Sequence, residues 1–371
     1  MSDNIKASRE LYYLDVMRAI VCMGVFVEHI TACFNMELLA WMRSLTGPHI
    51  FSFLTDGRLA INTFCVLSGF LIAYNNLDKN GINYGKVQYA FLKRLIYLFV
   101  PSAIVCIMAY VFMKAGLVFN YLAYENGADA YIVGIYNFEP TVESLMTCFK
   151  ELIFGGGYTR YAPQLWTICF EVLGGTACFV IILLFGEKKI LRFGAYAVCL
   201  WYTVFCIAKN YFEAFFCGMI VYELCSLMQN VKWNKQKKLL LKFSFVLFLE
   251  CATLCYFKFQ KIYFVPVFLA LAVGAGYFAF GKDRTQNKLV SWIKTFGSYS
   301  YSFYLIHFLM IVSLGSVVYT GLRQIKMSVY IEYILLFLII GIVTYVCARL
   351  FQDYIIRKMI HIVKWIYGKL V

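Results

Sequence analysis

The chain has 371 residues, 62% of them hydrophobic and only 15% charged. Soluble domains lie nearer half apolar and a quarter charged, so the composition excludes an ordinary water-soluble enzyme. The net charge of +14, from 34 basic and 20 acidic residues, sits in short loops between apolar runs, where it reads as a topology signal and not as a nucleic-acid footprint.

A hydrocarbon core of about 30 Å needs roughly 20 apolar residues per helix. In chain order such runs fall near 12–34, 57–75, 91–113, 163–185, 190–208, 211–229, 239–257, 262–280, 297–319 and 331–356. The expected architecture is therefore an all-α integral membrane bundle of about ten transmembrane helices forming one domain over 1–371. A lipid-exposed backbone must satisfy its own hydrogen bonds, which makes the spans helical. The first run continues without a small-residue cleavage motif and is followed by many more, so it reads as a span and not as a signal peptide.

Starting inside, one set of loops carries Lys79, Lys86, Lys93 and Arg94, then Lys188, Lys189 and Arg192, then Lys232, Lys235, Lys237, Lys238 and Lys242, then Lys282, Arg284, Lys288 and Lys294. The tail adds Arg357, Lys358, Lys364 and Lys369. The opposite loops are poorer in cations, and the longest, 114–162, holds Glu125, Asp129, Glu139, Glu143 and Glu151. This bias puts both termini in the cytoplasm. The 114–162 loop is too long for a plain connection; Val142 to Phe154 has helical spacing and is expected as an interfacial helix, ended by a flexible turn at Gly155-Gly156-Gly157.

Fourteen cysteines, mostly inside apolar runs (Cys22, Cys65, Cys106, Cys178, Cys199, Cys251), show no CxxC pair and no zinc spacing. They read as packing residues, with no disulfide framework and no metal. No Walker loop, zincin helix or dinucleotide fingerprint is present.

Ionisable residues inside a membrane helix are costly and mark function by default. Arg18 and His29, eleven residues apart on the first span, point the same way and lie about 16 Å apart along the axis. Arg18, near the cytoplasmic end, suits phosphate with its planar fork, or alternatively snorkels to the interface. His29, deeper, suits a general base, or alternatively an interhelical hydrogen bond. Asp15, one turn before Arg18, is placed to hold it. Glu28 points about 100° away from His29, its role open. On the fourth span Gln164, Thr167 and Glu171 share a face. Glu171 reads as a histidine partner, a sugar-hydroxyl ligand or a counter-charge to an arginine. His307 follows Ser300, Tyr301 and Tyr304 near mid-depth and reads as a catalytic or a packing histidine. His49 and His361 read as solvated. Ser68-Gly69 permits close helix approach, and no nucleophile-elbow motif surrounds Ser68.

Leu14-Asp15-Val16-Met17-Arg18-Ala19-Ile20, followed by His29, resembles the first helix of the acyltransferase-3 family of integral membrane acyltransferases, which places an arginine and a histidine at this spacing. The likeness continues in Phe64 to Leu71, in Leu165-Trp166-Thr167 through Glu171, in Phe215-Phe216-Cys217-Gly218 and in Tyr304-Leu305-Ile306-His307. Thr167 stands where the family usually has serine, Glu28 where it has glycine, and near Tyr97 and Leu98 the second arginine often found before Pro101 is missing, leaving Arg94. The resemblance implies a stand-alone, multi-pass enzyme of the bacterial inner membrane. Such an enzyme moves an acyl group, acetyl or succinyl, from cytoplasmic acyl-coenzyme A to a hydroxyl of a cell-surface or lipid-linked glycan. On this expectation Arg18, Arg94 and Lys93 take the donor phosphates. His29, Glu171 and His307 are catalytic, and Gln164, Trp166, Tyr304 and Ser68 bind substrate. Membrane lipids are partners, nucleic acid is not, and a homo-oligomer stays open. The rival is a multi-pass exporter of a polysaccharide or lipid-linked sugar, which also uses intramembrane charge; the paired broken helices and internal symmetry common in transporters are not evident.

Overall fold

The computed structural model describes residues 11–77, 81–155, 159–206, 211–231, 233–280 and 288–370, and within them the ordered elements are helices and turns. Lys79, Gly156, Gly157, Lys232, Lys282, Arg284 and the side chain of Lys369 lie outside the described residues.

The helices are α1 (Tyr12–Phe34), α2 (Met36–Thr46), α3 (Gly57–Asn76), α4 (Tyr84–Lys114), α5 (Asn120–Glu125), α6 (Ala130–Ile135), α7 (Val142–Phe154), α8 (Ile168–Phe185), α9 (Lys189–Phe205), α10 (Phe212–Leu227), α11 (Lys235–Phe257), α12 (Val265–Phe280), α13 (Lys288–Met310), α14 (Ser316–Gln324), α15 (Val329–Phe351) and α16 (Arg357–Leu370). Starts are set by short polar side chains that accept from free N–H groups: Asn35 caps α2, Asp56 caps α3, Asn83 caps α4 and Asn234 caps α11. Among the described residues eight segments are long and apolar enough to cross a bilayer: α1, α3, α4, Pro163–Phe185, α11, Ile262–Phe280, Val290–Gln324 and Val329–Gly368. The other two expected spans correspond to α9 and α10, which have 17 and 16 residues, at the short limit for a crossing. The chain is an all-α membrane bundle.

We call the end of the bundle where α1 begins proximal and the opposite end distal. α1 is the seam between two cores. One face (Cys22, Phe26, Ile30, Phe34) packs with α4, α13, α15 and the 114–162 segment; the other (Tyr13, Leu14, Met17, Val21, Val25) packs with α3, α8, α10 and α12. Lipid is as apolar as leucine, so close backbone approach holds such helices together, not the hydrophobic effect. α3 and α10 approach through a reciprocal pair: a Cβ on Gly69 would collide with the Phe215 carbonyl, and one on Gly218 with the Val66 carbonyl. This explains why Ser68-Gly69-Phe70 and Phe215-Phe216-Cys217-Gly218 occur together.

Two local irregularities position the site. Pro101 inside α4 has no N–H for the carbonyl of residue 97. Tyr301 replaces it, its hydroxyl donating to the Tyr97 and Leu98 carbonyls at 3.2 and 3.0 Å. The proline thus ties α4 to α13. Beyond His307 the helix widens into one π turn, Ile311–Gly315, a distortion common near functional sites.

The 114–162 segment folds inward at the distal end. Phe119 N–H donates to the Val312 carbonyl (3.0 Å) and Asp129 N–H to the Cys33 carbonyl (3.2 Å), joining it to the ends of α13 and α1. α7 begins on a Thr141/Ser144 capping box and ends at Gly155, whose φ of +70° suits glycine. Tyr161 is buried; its hydroxyl lies 2.6 Å from Ser144 Oγ, and its carbonyl accepts from Tyr136 at 2.9 Å.

Candidate active site

Arg18 and Asp15 stand one turn apart near the proximal end of α1, and Arg18 Nη1 donates to Asp15 Oδ1 at 2.9 Å. Arg94, two turns before Pro101 on α4, reaches Glu171 on α8, with Nη2–Oε2 at 2.5 Å. Ser68 donates to the same oxygen at 2.8 Å. Gly175 makes room for the arginine, since a Cβ there would sit 2.7 Å from Arg94 Nε. Arg18 thus pairs with Asp15 and Arg94 with Glu171, and these side chains stay partly accessible, at 29% for Arg18, 22% for Arg94 and 15% for Glu171. Glu171 thus has an arginine as its charged partner.

Nearer the distal end, His29 meets His307 where α1 packs on α13. His29 Nδ1 lies 2.8 Å from His307 Nε2, and His307 Nδ1 lies 2.7 Å from the Tyr304 carbonyl oxygen. A carbonyl only accepts, so His307 holds its proton on Nδ1 and offers Nε2 as acceptor. Neutral His29 then donates from Nδ1, and its Nε2 keeps a free lone pair. The rings lie edge to edge and nearly coplanar, 6° from parallel with centroids 5.1 Å apart. Phe26 presents its edge to His307 at 6.3 Å and Phe308 its edge to His29 at 5.3 Å. His307 is 1% exposed; His29 is half-buried.

Between these centres the α1–α13 seam is filled. Cys22 donates to the Ser300 carbonyl at 3.4 Å, and Phe26 packs on Phe303 at 5.1 Å. Tyr304 joins the histidine pair to α8 and the turn before it. Its hydroxyl accepts from Thr167 at 2.8 Å and donates to the Gln164 backbone carbonyl, and its ring lies 5.7 Å from His307. The 3₁₀ turn Pro163–Thr167 brings Gln164 and Thr167 here. Simple helical spacing groups them with Glu171, but the tighter turn rotates them toward α13. Gln164 Nε2 donates to the Leu305 carbonyl at 2.9 Å, which leaves its Oε1 buried and without a partner among the described residues.

Arg94, Ser68 and Glu171 thus form one linked cluster, with Arg18 on its own partner Asp15, and Gln164, Tyr304, His307 and His29 form a second linked series. Lys93 is adjacent to Arg94 and about 100° round the helix; it is half-buried and makes no ion pair among the described residues. Trp166 packs edge-to-face on Phe170 and tilted against Tyr211, at 5.7 and 6.0 Å. Two contacts escaped sequence reasoning. Glu28 pairs with Arg43 of α2 at 2.6 Å and abuts Gly57. His49, read as solvated, contacts Glu250 of α11 at 2.7 Å while staying 61% exposed. Proximity of α2 to Glu28 on α1, and of α11 to His49, is a long-range fact that no local spacing encodes.

The site offers a surplus of guanidinium donors at one end and a neutral imidazole lone pair at the other. No group of three or more His, Cys, Asp or Glu side chains among the described residues is arranged to hold a metal. Nothing among curated proteins or solved structures matches the chain. Residues 11–352, nearly the whole chain, match the model of a family described as an acyltransferase domain. The chain therefore belongs to the acyltransferase-3 family and is a multi-pass membrane acyltransferase.

Proposed function

We propose that the chain transfers an acyl group from acyl-coenzyme A, acetyl-coenzyme A in the first instance, to a hydroxyl of a cell-surface or lipid-linked glycan, with the proximal end and both termini in the cytoplasm of a bacterial cell. The observation that carries this reading is the fixed tautomer of the histidine pair, which leaves the lone pair of His29 Nε2 free.

The donor's phosphates engage Arg18 and Arg94, whose guanidinium groups have more donors than Asp15 and Glu171 use. Glu171 keeps Arg94 aimed and balances its charge before the donor arrives. The pantetheine arm extends past Tyr304, and the Gln164 carbonyl group offers a buried acceptor to its amide N–H. At the distal end His29 Nε2 removes the proton of the acceptor hydroxyl as its oxygen attacks the thioester carbonyl. A C–O bond forms, the C–S bond breaks, and the proton passes from His29 to the departing thiolate. His307, accepting from His29 Nδ1, holds the imidazole in position and stabilises its protonated form. Lys93 and Trp166 flank the path and act at most at its edges.

His29→Ala removes the base and lowers turnover by about 10²–10⁴-fold, with insertion and unfolding temperature unchanged. The check is transfer of radiolabel from acetyl-coenzyme A to glycan in proteoliposomes, run beside sugar flux through the same vesicles. Full activity in the variant would remove His29 from the chemistry, and sugar flux without label transfer would favour an exporter.

A further inference from the structure

The cysteines carry a second feature. Cys106 of α4 and Cys148 of α7 place their sulfurs 3.4 Å apart, and both side chains are buried at 0% and 1% exposure. The contact with Cys106 holds the Cys148 thiol below its ordinary range. Disulfide bonding needs an approach of only about 1.4 Å more, to roughly 2.05 Å. Forty-two positions separate the two residues in sequence, and both lie toward the distal end, where α7 forms part of the 114–162 cover. That cover reaches the site: Tyr136 packs on Phe308 with centroids 6.5 Å apart, and Phe308 packs on His29.

We propose that Cys106 and Cys148 are a redox-modification site, at which a thiol–disulfide oxidant on the distal side forms a cystine that fixes α7 to α4 and holds the cover over His29. The Cys148 thiolate attacks the disulfide of the oxidant, which gives a mixed disulfide and one released thiol. Cys106 then displaces the second thiol. Two S–H bonds are lost and one S–S bond forms; the two protons end on the released thiols, and two electrons pass from the cysteine pair to the oxidant. Burial makes the first attack depend on a brief opening of α7, so the reaction is selective for oxidants able to reach that opening.

The functional part rests on the acyl-transfer reading, whereas the covalent part does not. Membranes bearing the full chain are treated with oxidised glutathione or with dithiothreitol, denatured in N-ethylmaleimide, and digested for mass analysis. The oxidised sample is expected to yield a peptide pair linked through Cys106 and Cys148, an unfolding temperature several degrees higher, and label transfer from acetyl-coenzyme A at least threefold slower than in the reduced sample. Cys148→Ser and, independently, Cys106→Ala should lose all three responses. Recovery of both cysteines fully alkylated after oxidation overturns the site, and a linked pair with unchanged unfolding temperature and transfer rate overturns its role as a clamp. A linked pair with raised stability in a chain that transfers no label to glycan leaves the site standing and removes the acyl-transfer reading instead.

Discussion

Of the arginine–glutamate pairs among the described residues, the two with the least exposed arginines are built for opposite ends. Arg192 of α9 and Glu223 of α10 meet in two parallel contacts, Nε–Oε1 and Nη2–Oε2 both at 2.9 Å. Tyr196 donates to Glu223 Oε1 at 2.9 Å, and Arg192 Nη1 caps the Gly186 carbonyl at the end of α8. Every nitrogen of the guanidinium has an acceptor and the pair is sealed, with the side chains 10% and 3% exposed. Arg94 and Glu171 share one contact, and Arg94 Nε is buried without a partner among the described residues. The same two residue types give a closed joint in one place and an unfinished anion site in the other. The difference lies in how many donors the neighbours consume.

The largest effect expected from breaking this contrast is on stability at the sealed pair. Arg192→Ala strands Glu223 in a closed site and should cost about 3–5 kcal/mol, read as a lower unfolding temperature in detergent, while turnover per folded molecule holds. If the variant keeps its unfolding temperature, the pair is not a structural joint. At the open pair the expectation is reversed. Arg94→Ala should reduce acyl transfer at limiting donor by about 10–100-fold, equivalent to roughly 1.4–2.8 kcal/mol of lost stabilisation, with the unfolding temperature nearly unchanged. An equal drop in stability would make the two pairs alike. The smallest effect belongs to Gly175→Ala. The added methyl meets the flexible end of Arg94, so the side chain gives way at little cost to folding. Its aim shifts, and half-saturation by the donor should rise several-fold; no change would mean that Arg94 has no required direction.

Sequence reading found the intramembrane charges because each is anomalous in an apolar run, and it placed Asp15 beside Arg18 because helical neighbours three apart must meet. It read Arg192 as a loop cation, because a lysine-rich turn hides which of its cations folds back inward. It grouped Gln164 with Glu171 because a uniform 3.6-residue period was assumed across Pro163–Thr167, where the chain is 3₁₀. It offered either Glu171 or His307 to orient His29 or the acceptor, and only the fold puts His307, 278 positions away, against His29; nothing local relates two helices so far separated.

Hydropathy and loop charge by themselves determined that the chain is a membrane bundle, since a 30 Å apolar layer imposes its length on every segment. They also singled out the residues too polar to be lipid-facing. Only the tertiary structure decided which of those residues touch, which nitrogen of His29 is free, and which of two chemically identical ion pairs has donors to spare. Those properties arise from contacts between helices, and the partner of a buried polar group is chosen by packing geometry, not by the residues on either side of it in sequence.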